Sequence, residues 1–562
     1  MTEAFDVVVI GSGFGGSVMS YRFAERGLRV CVLERGKAYP AGSFPRSPYE
    51  MKHNFWDPSQ GLHGMYNVWS FERLSAVVSS GLGGGSLIYA NVLIRKDERW
   101  FIKEQPGTKG YESWPITRAD LEPHYSAVEQ IIAPQQFPAG VAPYSTTPKL
   151  LAMREAAAEL SRKHGDERVQ LLLPQLAVTF ANPGRPPRPG EPIIEEVPNL
   201  HGSPRDTCRM CGECDIGCNF GSKNTLDYNY LSRAKRAGAD IRTRSEVRSF
   251  RPLSGGGYEV SYVDHTDERR DTHALPLRTI VCRRLVLAAG AIGSTFLLLK
   301  NQPHFPGLSP RLGHAVNGNG DILGIAMHAR DSHTHEGRII EPSQGPVITS
   351  AIRFADQLDG VGAEGRGFYI EDAGYPQFVN WLAQSADLGG AASRFAGFIW
   401  RWLKMHLSAN PTSDLGEALS TLLGDGHLTR SALPLLGMGR DVPTGIASLN
   451  SGGQLALDWS LEDSRDYFEG VRRAMREISD ALGAEYVDDP LWMLSRELTV
   501  HPLGGCPMGA DSNQGVVNPF GEVFGYPGFY IADGSVLPGP VGPNPSLTIA
   551  ACANRFADHA LS

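Results

Sequence analysis

The run Gly11-Ser12-Gly13-Phe14-Gly15-Gly16 constrains this chain more than any other feature. It follows a β-branched stretch, Asp6 to Ile10, patterned as a strand buried on both faces. It opens a helical stretch, Ser17 to Arg26, that Gly27 stops. In that context G-x-G-x-x-G is a dinucleotide fingerprint. Gly11 makes the tight turn, Gly13 admits a pyrophosphate against bare backbone, and Gly16 lets the helix pack on the strand. Phe14 and Gly15 lie in the same turn, at the positive end of the helix. The second strand, Val30 to Leu33, ends at Glu34, where a carboxylate can accept from ribose hydroxyls.

The fingerprint alone does not separate NAD from FAD; the C-terminal end points to a flavin. Phe529 to Ala532 is patterned as a strand and runs into Asp533-Gly534, an acid and a glycine suited to a ribityl or phosphate contact. Asn544-Pro545 then opens the last helix, with Pro545 well placed in its first turn. The positive end of that helix, set against the pyrimidine ring, would stabilise the charge that appears when a flavin takes a hydride.

At 562 residues the chain exceeds one compact core, so two or more domains are expected. Its net charge of -8 is spread without a long basic block, which leaves no footprint for nucleic acid. The N-terminus carries no secretory pattern, and no stretch reaches the roughly 20 apolar residues of a membrane span. A cytoplasmic location is the matching expectation. Nucleotide-domain pieces fall at the beginning, middle and end, and dissimilar material separates them. The expected fold class is α/β (α+β overall). A discontinuous Rossmann-like FAD-binding domain takes 1–100, 205–310 and 490–562, and an interleaved substrate-binding domain takes 101–204 and 311–489. Residues 311–490 read as irregular, with helical stretches near 392–407 and 466–482.

Together these motifs resemble the glucose–methanol–choline (GMC) oxidoreductase family. The likeness is carried by Gly11 to Gly16, by Gly81-Leu82-Gly83-Gly84-Gly85-Ser86-Leu87, by the strand before Ala289-Gly290, and by His501-Pro502-Leu503-Gly504-Gly505 with Asn544-Pro545. Within the family the chain looks most like bacterial cholesterol oxidases that hold FAD non-covalently. The resemblance implies a substrate domain built on an antiparallel sheet plus helices. It also implies that Gly85, Ser86 and Tyr89 lie along the flavin, that Val247 meets the adenine through its backbone, and that His501 and Asn544 flank the substrate hydroxyl. An active-site glutamate is implied too, at a position the sequence does not give.

Oxidising an alcohol removes the hydroxyl proton as a hydride leaves the carbon. A histidine titrates near neutrality and can take that proton, whereas an asparagine can only hold the oxygen. His501 is therefore the expected proton acceptor and Asn544 its orienting partner. The expected substrate is a sterol or another bulky hydrophobic alcohol, with oxygen as electron acceptor. A dehydrogenase passing electrons through a cysteine-ligated iron–sulfur cluster to a cytochrome or quinone, and a flavin-containing lyase, are the alternatives.

Four of the eight cysteines form Cys208-x2-Cys211-x2-Cys214-x3-Cys218. That spacing suits an iron–sulfur cluster, a zinc site or a structural cysteine-rich loop. In 392–407, Trp400 and Trp402 alternate with Arg401 and Lys404. A helix packed on its own domain explains the stretch most simply; a peripheral membrane contact also fits it.

Overall fold

The computed structural model describes residues 3–374 and 430–562, apart from positions 48–49, 52, 106–109, 267–274, 332–333, 335, 490 and 493–494. The expected helix at 392–407, and with it the membrane contact, lies outside these residues. No helix among them is long and apolar enough to cross a membrane.

Two sheets organise the chain. The first orders its strands as Asp240–Arg242, Val30–Leu33, Glu3–Ile10, Arg278–Leu287, Tyr258–Asp264 and Ser245–Pro252. Val7, Val8 and Val9 are fully buried, as an unbroken β-branched run in a parallel strand requires. Glu3–Ile10 pairs in parallel with both of its neighbours. The long strand Arg278–Leu287 is forked. Its first half pairs antiparallel with Tyr258–Asp264, and its second half pairs in parallel with Phe529–Ile531. That fork brings the C-terminal segment beside the first glycine turn. The helices Phe14–Ala24 and Ser546–Leu561 lie together on this sheet. The helix Arg118–Ile132 joins the same core, and Tyr125 Oη lies 2.9 Å from Thr548 Oγ1.

The second sheet is antiparallel throughout, ordered Val169–Leu172, Ala351–Phe354, Phe368–Asp372, Leu433–Gly439, Ile322–Met327 and Glu485–Asp488. The helices Pro148–His164 and Arg465–Ala481 cover it. Arg465–Ala481 is amphipathic: Phe468, Val471, Met475 and Ile478 are buried at helical spacing against the sheet. The Rossmann-like unit and the antiparallel sheet with helices match the expected fold class. The reading of 311–490 as irregular was too sparse, since five of the six strands come from it.

Candidate active site

A cavity of about 950 Å³ runs from the first glycine turn to His501, with walls from both sheets. At its nucleotide end Gly11 has φ +96°, a left-handed turn that glycine adopts freely. Gly15 and Gly13 then divide the labour. A Cβ on Gly15 would stand 1.4 Å from the Ala532 carbonyl oxygen, so here helix and C-terminal strand touch backbone to backbone. A Cβ on Gly13 would meet no protein atom within 4 Å, because that face is open to the cavity.

Most of the expected cofactor residues line this space: Gly11, Gly13, Phe14, Gly15, Glu34, Gly85, Tyr89, Val247, Asp533, Gly534 and Pro545. Gly16 does not; it packs helix on strand, and a Cβ there would lie 2.1 Å from the Gly11 carbonyl oxygen. Ser86 does not line it either, and its side chain turns into the protein. Its hydroxyl donates to the Gly83 carbonyl at 2.7 Å and accepts from the Leu226 amide at 3.1 Å. Glu34 spends both oxygens on the turn, taking Ser12 Oγ at 2.6 Å and the Gly36 amide at 2.9 Å. Asp533 is similarly committed, to Ser535 through one oxygen and to Gly290 and Ser294 through the other. Tyr89 meets the Phe14 ring edge-on with centroids 5.4 Å apart.

At the other end of the cavity the His501 ring is aimed by a carboxylate. Asp321 Oδ1 accepts from His501 Nδ1 at 2.8 Å. Asp321 Oδ2 accepts from the amides of Val500 and His501 at 2.9 and 3.2 Å and lies 2.9 Å from Thr499 Oγ1. The Asp321 side chain is 1 % exposed and that of His501 15 %. With Nδ1 committed, Nε2 is the ring nitrogen left for the cavity.

Asn544 precedes the helix Ser546–Leu561, capped by Pro545, one residue later than the sequence suggests. Its Nδ2 donates to Glu371 Oε2 at 3.3 Å, while its Oδ1 is buried without a protein partner. Ser546 Oγ, also lining the cavity, is buried and unpartnered as well. Glu371 is fully buried on Phe368–Asp372. Burial pushes its carboxyl up to about 8, the Asn544 hydrogen bond opposes this, and the charges of Asp372 and Asp321 add to it. The remaining wall is mainly apolar, formed by Trp69, Phe296, Leu323, Ile325, Pro434 and Leu498 among others, with Asn67 and Ser79 as polar members.

This cavity suits FAD on the chain's own terms. It has a backbone cradle where a side chain is missing, a helix N-terminus at the far end, and unpartnered buried polar atoms at Asn544 and Ser546 beside it.

Sequence reasoning named His501 and Asn544 but neither carboxyl partner. A signal for Glu371 was present, since Glu371-Asp372 ends an otherwise apolar strand, and successive residues there face opposite sides. Asp372 indeed turns away, to the amides and hydroxyls of Thr349 and Ser350. Asp321 closes the turn-rich run Asn317-Gly318-Asn319-Gly320 just before a strand.

The cysteine run reaches the cavity, but none of its four cysteines lines it. Asp215 and Ile216, within the run, are wall residues. All eight cysteines are free. Lys223 Nζ donates to the carbonyls of Cys214 and Leu87 at 2.7 and 3.0 Å, tying the loop to the flavin-side segment. Among the described residues no group of three or more His, Cys, Asp or Glu is placed to hold a metal ion. The expected ligand set Cys208, Cys211, Cys214 and Cys218 therefore lacks ligand geometry here.

The chain is similar to known proteins along its length. A family model described as GMC oxidoreductase matches residues 449–553, and one described as an NAD(P)-binding Rossmann-like domain matches 9–72. A cholesterol oxidase of Mycobacterium tuberculosis is 30% identical over 575 aligned residues, covering 99% of this chain and 91% of the relative. A cholesterol oxidase of Acinetobacter baumannii is 27% identical, covering 98% and 93%. A 2-methyl-1,2-propanediol dehydrogenase of Mycolicibacterium austroafricanum is 24% identical, covering 99% and 94%.

Proposed function

The chain belongs to the glucose–methanol–choline oxidoreductase family and is an FAD-dependent oxidoreductase acting on CH–OH groups, and from that premise we propose that it oxidises a sterol or another bulky apolar alcohol to the carbonyl. Bound FAD supplies a two-electron acceptor for the hydride. The rest is done by the protein. His501 Nε2 takes the hydroxyl proton, because Nδ1 is already held by Asp321. Asn544 Nδ2 gives one hydrogen to Glu371 and has a second for the alcohol oxygen. Asp321 then steadies the imidazolium that forms. Glu34, Val247 and Gly85 belong to the FAD contacts of the same reading, and the apolar wall excludes water from the reacting carbon.

The single observation that carries this reading is the 2.8 Å His501–Asp321 hydrogen bond at the end of a cavity that starts at the first glycine turn. The bulk of the substrate is argued from the apolar wall, which offers few partners for the many hydroxyls of a sugar. An anaerobic flavin-bleaching screen over sterols, long-chain alcohols, aryl alcohols and sugars tests it. Bleaching by sterols or long-chain alcohols is expected; bleaching by sugars alone would refute the substrate class. Admitting oxygen afterwards should restore the flavin bands and release peroxide. A flavin that stays reduced until a dye or cytochrome is added would instead make the protein a dehydrogenase.

A further inference from the structure

His501 and Asn544 arrive on separate loops, and a reaction between them and one alcohol oxygen needs their separation fixed. A single buried turn, Asn317 to Asp321, reaches both. At its end Asp321 holds the His501 ring and the amides of Val500 and His501. Two residues earlier, Asn319 faces the other loop. Its Oδ1 accepts from the amides of Val541 and Gly542 at 2.8 and 3.0 Å, and its Nδ2 donates to the carbonyls of Gly542 and Pro543 at 3.3 and 3.2 Å. The side chain thus spends four hydrogen bonds on the three residues that lead into Asn544. Asn317 pairs with Leu503 in both directions at 3.0 Å, just beyond His501-Pro502.

The turn itself is braced from four sides. The Gly318 amide donates to Asp441 Oδ2 at 3.1 Å, and the Gly318 carbonyl accepts from Thr499 Oγ1 at 2.9 Å. The Gly320 carbonyl accepts from Tyr467 Oη at 2.9 Å, and the Asn319 carbonyl accepts from the Gly439 amide at 2.9 Å. Asn317 and Asn319 are fully buried, and Asn319 sits at φ +56°, a left-handed conformation that asparagine tolerates better than most residues. Asn319 does not line the cavity, so any effect it has on the reaction passes through the residues it holds.

We propose that Asn319 is a positioning residue of the oxidation: with Asp321 it forms a rigid yoke that sets the reach between the His501 ring and the Asn544 side chain. The inference rests on the reading that those two side chains flank the alcohol hydroxyl. A buried asparagine that merely staples loops would support folding and FAD retention without being felt in the chemical step. A yoke is felt there first, because a displacement of about 1 Å at the reacting groups costs about 10²-fold in rate.

Asn319→Gly isolates the effect, since glycine keeps the left-handed backbone while all four side-chain bonds are lost. The variant is compared with the parent and with Asn544→Ala by anaerobic stopped-flow titration, using an alcohol that bleaches the parent. The expected result is retained FAD and cooperative melting, an apparent alcohol affinity close to the parent's, and a limiting rate of flavin reduction lowered by about 10²-fold, towards that of Asn544→Ala. Hydrogen exchange at the Val541 and Gly542 amides should quicken, with or without substrate. A folded, FAD-bearing Asn319→Gly that reduces its flavin at the parent's limiting rate overturns the inference, as does a loss confined to alcohol affinity or FAD content. Should the glycine variant fail to fold, Asn319→Asp keeps the acceptor oxygen and removes both donors; a limiting rate equal to the parent's would overturn the inference equally. If Asn544→Ala itself reduces flavin at the parent's rate, the reading of the active pair fails and the yoke with it; a slow Asn544→Ala beside a fast Asn319→Gly refutes the yoke alone.

Discussion

Asp321 gives the His501 ring its direction, and the direction decides which nitrogen can take a proton. An Asp321→Asn amide can turn its NH2 toward Nδ1 and stabilise the opposite tautomer, with Nε2 protonated toward the substrate. The limiting rate of flavin reduction should then fall by about 10²-fold or more, with FAD still bound, as read by stopped flow. Glu371 makes a different prediction, one about stability. Its carboxyl is raised from 4.5 to about 8 by burial, so the fold favours the neutral form. That contribution is full below the ordinary carboxylate range, drains as pH rises through the folded value, and is gone above it. Glu371→Gln keeps an acceptor for Asn544 and removes the loss. Between pH 4.5 and 8 its unfolding free energy should decline less than the parent's, by an amount on the order of a few kcal/mol at the upper end, followed by thermal melts across that range. Sequence reasoning named neither carboxyl for one reason. His501 and Asn544 stand in recognisable motifs, but their partners lie 180 and 173 positions away, and only the folded sheets bring them together.

Among the elements, those with local pattern were legible. The strand–turn–helix at the N-terminus, the helix near 466–482 and the final helix each carry their own periodicity or stop signal. The strands of the antiparallel sheet do not. Leu433–Gly439 contains Pro434, Gly437 and Gly439, residues that argue against a strand on propensity. The structure needs those glycines. A Cβ on Gly437 would stand 2.5 Å from Val471 of the covering helix, and one on Gly439 would stand 2.7 Å from the Gly367 carbonyl oxygen. Close packing overrides propensity, and close packing is invisible before the fold is known. The glycine turn offers a matched test at this scale. Gly13→Ala has room within the protein, so it should fold normally and bind FAD weakly. Gly15→Ala meets the Ala532 carbonyl at 1.4 Å and should lose folding stability as well. Thermal melts beside FAD titrations separate the two; equal behaviour of both variants would contradict the assignment of that open face to the pyrophosphate.

Across the whole molecule, the cavity draws its walls from both sheets: Gly11, Glu34 and Ala289 on one side, Leu323, Ile325 and Pro434 on the other. A ligand filling it stabilises the joined structure rather than one layer. Free FAD at about 100 times its dissociation constant should add about 2.7 kcal/mol to the native state, seen as a concentration-dependent rise in melting temperature, and stripping FAD should reverse it. The nucleotide half was legible because phosphate binding reuses one backbone solution. The substrate half was not, because an apolar wall is assembled from side chains scattered over Trp69 to Leu498 with no shared motif.

The most direct test of the account is the anaerobic, single-turnover reduction of bound flavin by an alcohol substrate, compared between the parent and His501→Ala at equal FAD occupancy. Transfer of the hydroxyl proton to that imidazole predicts a limiting rate lower by about 10²–10⁴-fold, with the FAD still held. Reduction of the alanine variant at the parent's rate would contradict it.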